Sequence, residues 1–320
     1  MPRWSAALAE AGITDARLRR AYDAQRSMVR EFALHQYVAA RLLLPARLHP
    51  PVVAVVAFMH ETDERIDVGD PDVRKDALSS WDREVRAALD SVPGPGTTEP
   101  ALLQALADTV CRHPHLAARV HDFLAGAPVE ANWTGFDTEA DYQAYIDSYS
   151  LPALMLTASL IAPTPQAGVD GPFRQGCRAL IEAWQRADFL ADLCEDAVQG
   201  RIGIPREDLA RHGLTLEDLR TKSDACVPAL GRLVNAQTGL AEAALSECRG
   251  LPDLAEAPYR PFLRALISVQ ELQLQAVRRK GGSLLHGGTR PPTASTLRVL
   301  AREYRAARSR QRRWGRPAVS

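Results

Sequence analysis

Apolar residues along this chain recur mostly at intervals of three and four, with little of the strict alternation that marks a half-buried strand. The pattern predicts helices nearly throughout. A first helix is expected from about Asp15 to Leu44, stopped by Pro45. A second begins at Pro50-Pro51 and ends at Gly69-Asp70-Pro71. Its body of Val52, Val53, Val55, Val56, Phe58 and Met59 is apolar on every side, which marks a helix buried all round. Ala77 to Leu89 reads as amphipathic, and Pro93-Gly94-Pro95-Gly96 as a loop. Further helices are expected at Pro100 to Arg112, Leu116 to Ala125, Thr138 to Ile161, Pro172 to Gln199, Arg220 to Cys248 and Pro258 to Lys280. A Gly/Pro-containing break at Gly281 to Pro292 precedes a basic, helix-prone stretch from Ser295 to Arg316. No fixed-period repeat and no Rossmann or P-loop glycine pattern is visible. The fold class is therefore all-α, a helical domain over residues 1–290 with a basic helix or tail over 291–320.

Composition narrows the function classes. The chain has 320 residues, with 39 basic against 39 acidic and 46% hydrophobic. A zero net charge argues against global attraction to nucleic acid, and the hydrophobic content is that of a globular chain. No apolar run is long enough for a membrane span, and Met1-Pro2-Arg3-Trp4 lacks a signal core. The five cysteines are odd in number and form no CxxC pair, which fits a reducing cytoplasm.

Two acidic clusters stand out against this background. His60-Glu61-Thr62-Asp63-Glu64-Arg65-Ile66-Asp67 lies at the C-terminal end of the buried helix, with Asp63 and Asp67 one turn apart on one face. Acids in a last helical turn oppose the macrodipole, at about 0.3–1 kcal/mol each. The second cluster, Gln185, Asp188, Asp192 and Asp196, forms a stripe among the apolar neighbours Ala187, Phe189, Leu190, Ala191, Leu193 and Cys194. Buried charge of this kind needs a partner. Oxygen ligands without histidine or cysteine suit Mg²⁺, which completes its shell with water and phosphate oxygens. Two solvated acidic faces would be the plain alternative.

These residues resemble the squalene/phytoene synthase family. The family's R-x-x-D-D-x-x-D, after an apolar Y-A-F, is matched by Ala57 to Asp67. Its Q-x-x-N-x-x-R-D-x-x-E-D followed by G-R-x-Y-x-P is matched by Gln185, Asp188, Ala191, Asp192, Glu195 and Asp196, then Gly200-Arg201-Ile202-Gly203-Ile204-Pro205. Leu43-Leu44-Pro45 matches an upstream L-L-P, and Asp141 to Leu156 resembles a D-L-x-x-Y segment with Tyr145 at the tyrosine. The resemblance covers roughly Tyr22 to Lys280. It implies an isoprenoid-synthase bundle around an apolar cavity, with Asp63, Glu64, Asp67, Asp188, Asp192 and Asp196 holding Mg²⁺ and a prenyl diphosphate. Arg201 matches the family's diphosphate-contacting arginine; capping a helix C-terminus is its plain alternative.

Several positions depart from the family pattern. His60 stands for an arginine, Val56 for a tyrosine, Glu64 for an aspartate, Asp188 for an asparagine and Ala191 for an arginine. Ala153-Leu154 replaces a Val-Gly pair, and Gly203 a tyrosine. The carboxylates are kept while the basic and aromatic lining changes. This pattern favours a Mg²⁺-dependent prenyltransferase of specialised metabolism acting on an aromatic acceptor such as a carbazole- or indole-like ring. Head-to-head joining of two prenyl diphosphates is the alternative, with cyclisation of one a third possibility. A non-catalytic binding protein on the same fold is the competing class.

The remaining candidates keep two readings each. His60 is either a general base or a neighbour-paired side chain of Asp63 or Glu64. Tyr145 and Tyr149 either line the cavity and face a cation or pack the core. The arginine-rich C-terminus is read as a solvated tail or a partner contact, with peripheral membrane contact open and no nucleic-acid motif present.

Overall fold

A computed structural model of the chain describes residues 3–67, 70–90, 100–163 and 171–314. The first helices are α1 (Trp4–Glu10), α2 (Ala16–Phe32), α3 (Leu34–Leu43), α4 (His49–Asp67), α5 (Pro71–Asp90), α6 (Ala101–Arg112) and α7 (Leu116–Ala131). Then come α8 (Glu139–Tyr145), a π-helical turn at Ile146–Ser150, α9 (Leu151–Ala158), α10 (Pro172–Ala191), α11 (Leu193–Val198), α12 (Arg206–Arg211) and α13 (Leu216–Arg220). The chain closes with α14 (Val227–Glu247), α15 (Leu251–Leu254), α16 (Arg260–Lys280) and α17 (Thr293–Trp314), and no strand occurs among the described residues. The expected loop at Pro93 to Gly96, the Gly69 stop and Arg316 lie outside the described residues, as does the side chain of Asp67.

Helix α4 is the axis of the bundle. Val52, Val53, Ala54, Val55, Ala57 and Phe58 are all buried, enclosed by α2, α5, α6, α7 and α9. Burial of each valine or phenylalanine contributes about 1.5–3 kcal/mol. Helix α10 forms the opposite wall and packs on α9, α14 and α16. Its Arg186 is buried between Glu139 and Glu182, stacks 4.1 Å over the Tyr142 ring, and donates to Gln237 at 3.0 Å. This network ties α8, α10 and α14 together. The charge is tolerated because two carboxylates and an amide surround it.

Three expected helices are broken. Ala33 adopts φ −127° and ψ 45°, dividing Asp15 to Leu44 into α2 and α3 with no proline or glycine to signal the break. Asp192 adopts φ −99° and ψ 3°, separating α10 from α11. Thr138 to Ile161 is interrupted by the π-helical turn, whose Ser148 carbonyl packs against α7 at Gly126. The basic C-terminus is helical as far as Trp314: α17 packs on α16 and α3, and its buried Glu303 accepts from Arg264 at 2.8 Å.

A Cβ at position 126 would lie 2.0 Å from the Ser148 carbonyl oxygen. Gly126→Ala is therefore expected to displace the π-helical turn and cost about 1–3 kcal/mol, the usual penalty of overpacking. Urea unfolding of the variant beside the parent measures it; an unchanged midpoint would show that the seat is not tight.

Candidate active site

On α4, the face carrying Phe58, Thr62 and Arg65 turns toward α5. Thr62 donates to the Phe58 carbonyl at 2.9 Å and accepts from the Trp81 indole at 2.9 Å. Arg65 pairs with Glu61 and lies 4.1 Å over the Trp81 ring. The other face leaves Val56, Met59, His60 and Asp63 half-buried, a stripe at intervals of three and four. Glu64 is exposed. Asp63 accepts a hydrogen bond from Tyr149 Oη at 2.6 Å. His60 stacks on Phe32, with centroids 3.8 Å apart, so its ring is engaged across α2.

The second motif spans the broken end of α10. Gln185 and Asp188 are half-buried, Ala191 is buried and Asp192 is exposed at the break. The Asp192 amide donates to the Asp188 carbonyl and its own carbonyl accepts from Asp196, so the acids stay stacked through the kink. Burial pushes the Asp188 carboxyl up to about 7, against the opposing effect of the Trp184 indole that donates to it. Burial likewise raises Asp196 to about 6, with Asp192 adding repulsion. Asp192, exposed as a residue but with its carboxyl partly desolvated, is raised by that desolvation and by Glu195 and held down by Arg290. Gly200, at φ +77°, turns the chain so that the Arg201 amide caps the Asp196 carbonyl, and the Arg201 guanidinium lies 5.7 Å over the Trp133 ring.

An aromatic wall joins the two motifs. Tyr149 lies 5.6 Å from Tyr145, and Tyr145 lies 6.2 Å from Phe189, the residue after Asp188. Phe189 stacks on Trp133 at 5.4 Å, with Phe136 beside both. Tyr145 donates to Glu130 at 2.7 Å. Tyr145 and Tyr149 are four residues apart and share one face through the π-helical turn. Leu154, one turn further along α9, is half-buried.

Several residues important to this geometry escaped the sequence reading. A Cβ at Gly203 would lie 2.0 Å from the Phe189 ring, so Phe189 occupies the space beside the position where the family pattern has tyrosine. A Cβ at Gly288 would lie 2.7 Å from the Ala191 carbonyl and 3.9 Å from Asp192 Oδ1. The loop after α16 therefore lies on the second motif, held by Lys280 Nζ on the Gly288 carbonyl at 2.6 Å and Gln273 on the Thr289 carbonyl at 3.3 Å. It brings Arg290 close enough to act on Asp192. The sequence marked this stretch as a Gly/Pro-containing break from Gly281 to Pro292, and nothing in its spacing pointed to the acids.

The donor set is all oxygen. Among the described residues no three histidine, cysteine or carboxylate groups converge into a cage. Carboxylates that burial holds partly protonated, placed in two groups beside arginines, fit a hard cation shared with a phosphate ligand better than a closed protein site. No helix among the described residues is long and apolar enough to cross a membrane.

An all-helical bundle carrying acidic motifs on two of its helices defines the fold as that of an isoprenoid synthase. The sequence model of squalene/phytoene synthase matches residues 33–298, and the chain belongs to that family. It is 30% identical over 268 residues to the bifunctional protein CrtB/UppS of Streptomyces coelicolor, covering 83% of this chain and 45% of that protein. It is 26% identical over 206 residues to a chloroplastic phytoene synthase of Cucumis melo, covering 63% and 47%. The chain thus spans about half the length of these relatives. A squalene synthase HpnC from Alicyclobacillus acidocaldarius superposes with TM-score 0.70 at 23% identity, covering 88% of this chain and 100% of that one. A dehydrosqualene synthase crystallised with a ligand gives TM-score 0.75 at 22% identity, covering 91% and 98%.

The raised carboxyls carry a pH signature. Between the ordinary aspartate value near 4 and the raised values of about 7 and about 6, Asp188 and Asp196 keep protons in the folded chain that the unfolded chain has lost. Their contribution to stability therefore falls as pH rises from about 4 to about 7. With chelator present, Asp188→Asn should gain melting temperature over the parent as pH rises through that window. A difference that stays constant with pH would show that Asp188 ionises normally.

Proposed function

We propose that this protein joins two prenyl diphosphates head-to-head, giving a hydrocarbon of the squalene, dehydrosqualene or phytoene type. The observation that carries the reading is the pair of acidic motifs linked by one aromatic wall, on a chain whose family match spans both. Asp63, Glu64 and Asp67 on one side and Asp188, Asp192 and Asp196 on the other would hold Mg²⁺. When bound, the ion neutralises diphosphate charge and so eases departure of the leaving group.

The chain's own residues do the rest. Arg201 and Arg290 lie beside the second motif and attract the diphosphate oxygens. The rings of Tyr145, Tyr149, Phe189 and Trp133 turn π-faces and apolar edges to the allylic cation and exclude water from it. Gln185 and Leu154 flank these groups on α10 and α9.

The expectation of an aromatic acceptor rested on a depleted second pocket. Two of those losses are offset in space: Arg290 stands near the arginine missing at Ala191, and Phe189 supplies a ring against Gly203. Phytoene synthases among the relatives favour a second prenyl diphosphate as acceptor. His60, engaged with Phe32, offers no separate support for a base acting on an arenium.

The test is incubation with Mg²⁺ and allylic diphosphates of increasing length, each alone. A hydrocarbon with twice the carbon number of the donor is expected. Diphosphate release that requires an added aromatic compound would overturn the reading in favour of aromatic prenylation. Asp63→Ala and Asp192→Ala should each lower turnover by about a hundredfold or more, the scale of one lost electrostatic contact to a transition state. Arg290→Ala should lower kcat/KM by about tenfold to a hundredfold, as expected for a charged hydrogen bond. Activity at the parent level would remove it from the site.

A further inference from the structure

Tyr149 has a position that core packing alone does not require. Its Oη lies 2.6 Å from Asp63 Oδ1, at the short end of the range for a hydroxyl donating to a carboxylate. The ring is fixed from below: it stacks on Phe123 at 5.7 Å and 27°, and Phe123 meets Phe58 edge-on at 5.8 Å. Phe58 sits on α4, as Asp63 does, so one helix sets both the ring's shelf and the carboxylate it reaches.

The backbone is arranged for the same end. Tyr149 sits on the π-helical turn, and the turn needs Gly126 because its Ser148 carbonyl fills the space of any side chain there. Such turns are rare and frequent at functional sites. A carboxylate oxygen can only accept, so the phenol is the donor in this contact. In the first motif, then, an aromatic hydroxyl fixes one oxygen of the carboxylate.

We propose that Tyr149 is a positioning residue for the first acidic motif, orienting Asp63 for cation binding through its hydroxyl. The proposal rests on the functional reading above and adds a residue that the family pattern of acids does not include. Partners of ligands in this position are commonly worth about 10–100-fold in metal affinity.

The test uses the full chain and Mn²⁺, as a paramagnetic stand-in for Mg²⁺, titrated in the presence of inorganic diphosphate and followed by electron paramagnetic resonance. Tyr149→Phe keeps the ring on Phe123 and removes only the hydroxyl. It should weaken Mn²⁺ binding by about 10–100-fold with an unchanged melting temperature. The Mg²⁺ concentration for half-maximal turnover should rise in parallel. Tyr149→Met, also lacking the hydroxyl, should weaken binding at least as much. Parent-level binding in Tyr149→Phe would overturn the proposal, and a loss confined to Tyr149→Met would assign the effect to packing. Tighter binding in Tyr149→Phe would show that the phenol competes with the cation and would also overturn it. Asp63→Asn separates the two levels. If it loses Mn²⁺ while Tyr149→Phe does not, only the inference fails; if it binds as the parent does, the functional reading fails with it.

Discussion

The organising constraint is the burial of a helix that has no outward side over most of its length. Valines, alanines and Phe58 of α4 are enclosed by five neighbouring helices, and the same helix must carry carboxylates at its far end. Charge cannot be enclosed in that way without a partner, so complete burial ends where the apolar run stops. The change coincides with the half-buried stripe of Val56, Met59, His60 and Asp63. The aromatic residues gathered there continue the core upward and give the acids a wall of low polarity. Electrostatic effects are correspondingly stronger there than on an open surface.

Much of this was legible in the sequence. The all-round apolarity of Val52 to Met59 gave the buried helix; the stripe of Asp188, Asp192 and Asp196, expected on one helix, is divided between α10, the break at Asp192 and α11. The breaks were less legible. Ala33 and Asp192 are ordinary residues in helix-compatible stretches, with no proline or glycine to mark a break. The π-helical turn was invisible because its seat, Gly126, lies on another helix. Periodicity reports contacts along one element, and that turn depends on a contact between two.

The substitutions in the two motifs make the same point for the site. Read by position, Ala191 and Gly203 are losses of an arginine and a ring. In space, Phe189 and Arg290 come in from other positions to nearby places. What such a site must conserve is charge and π-surface at a location, and more than one point on the chain can deliver either. The aromatic-acceptor expectation was drawn from position alone, and it weakened once the neighbours were known.

The loop that lies on the second motif has a consequence for how the protein comes into being. Arg290 precedes α17, and α17 is fastened by Glu303 on Arg264. During synthesis the acids of both motifs leave the ribosome well before this arginine does. The nascent bundle can therefore close its core around Phe58 while the diphosphate side is still short of one positive charge. Docking of the last helix then completes the charge pattern around the second acidic motif.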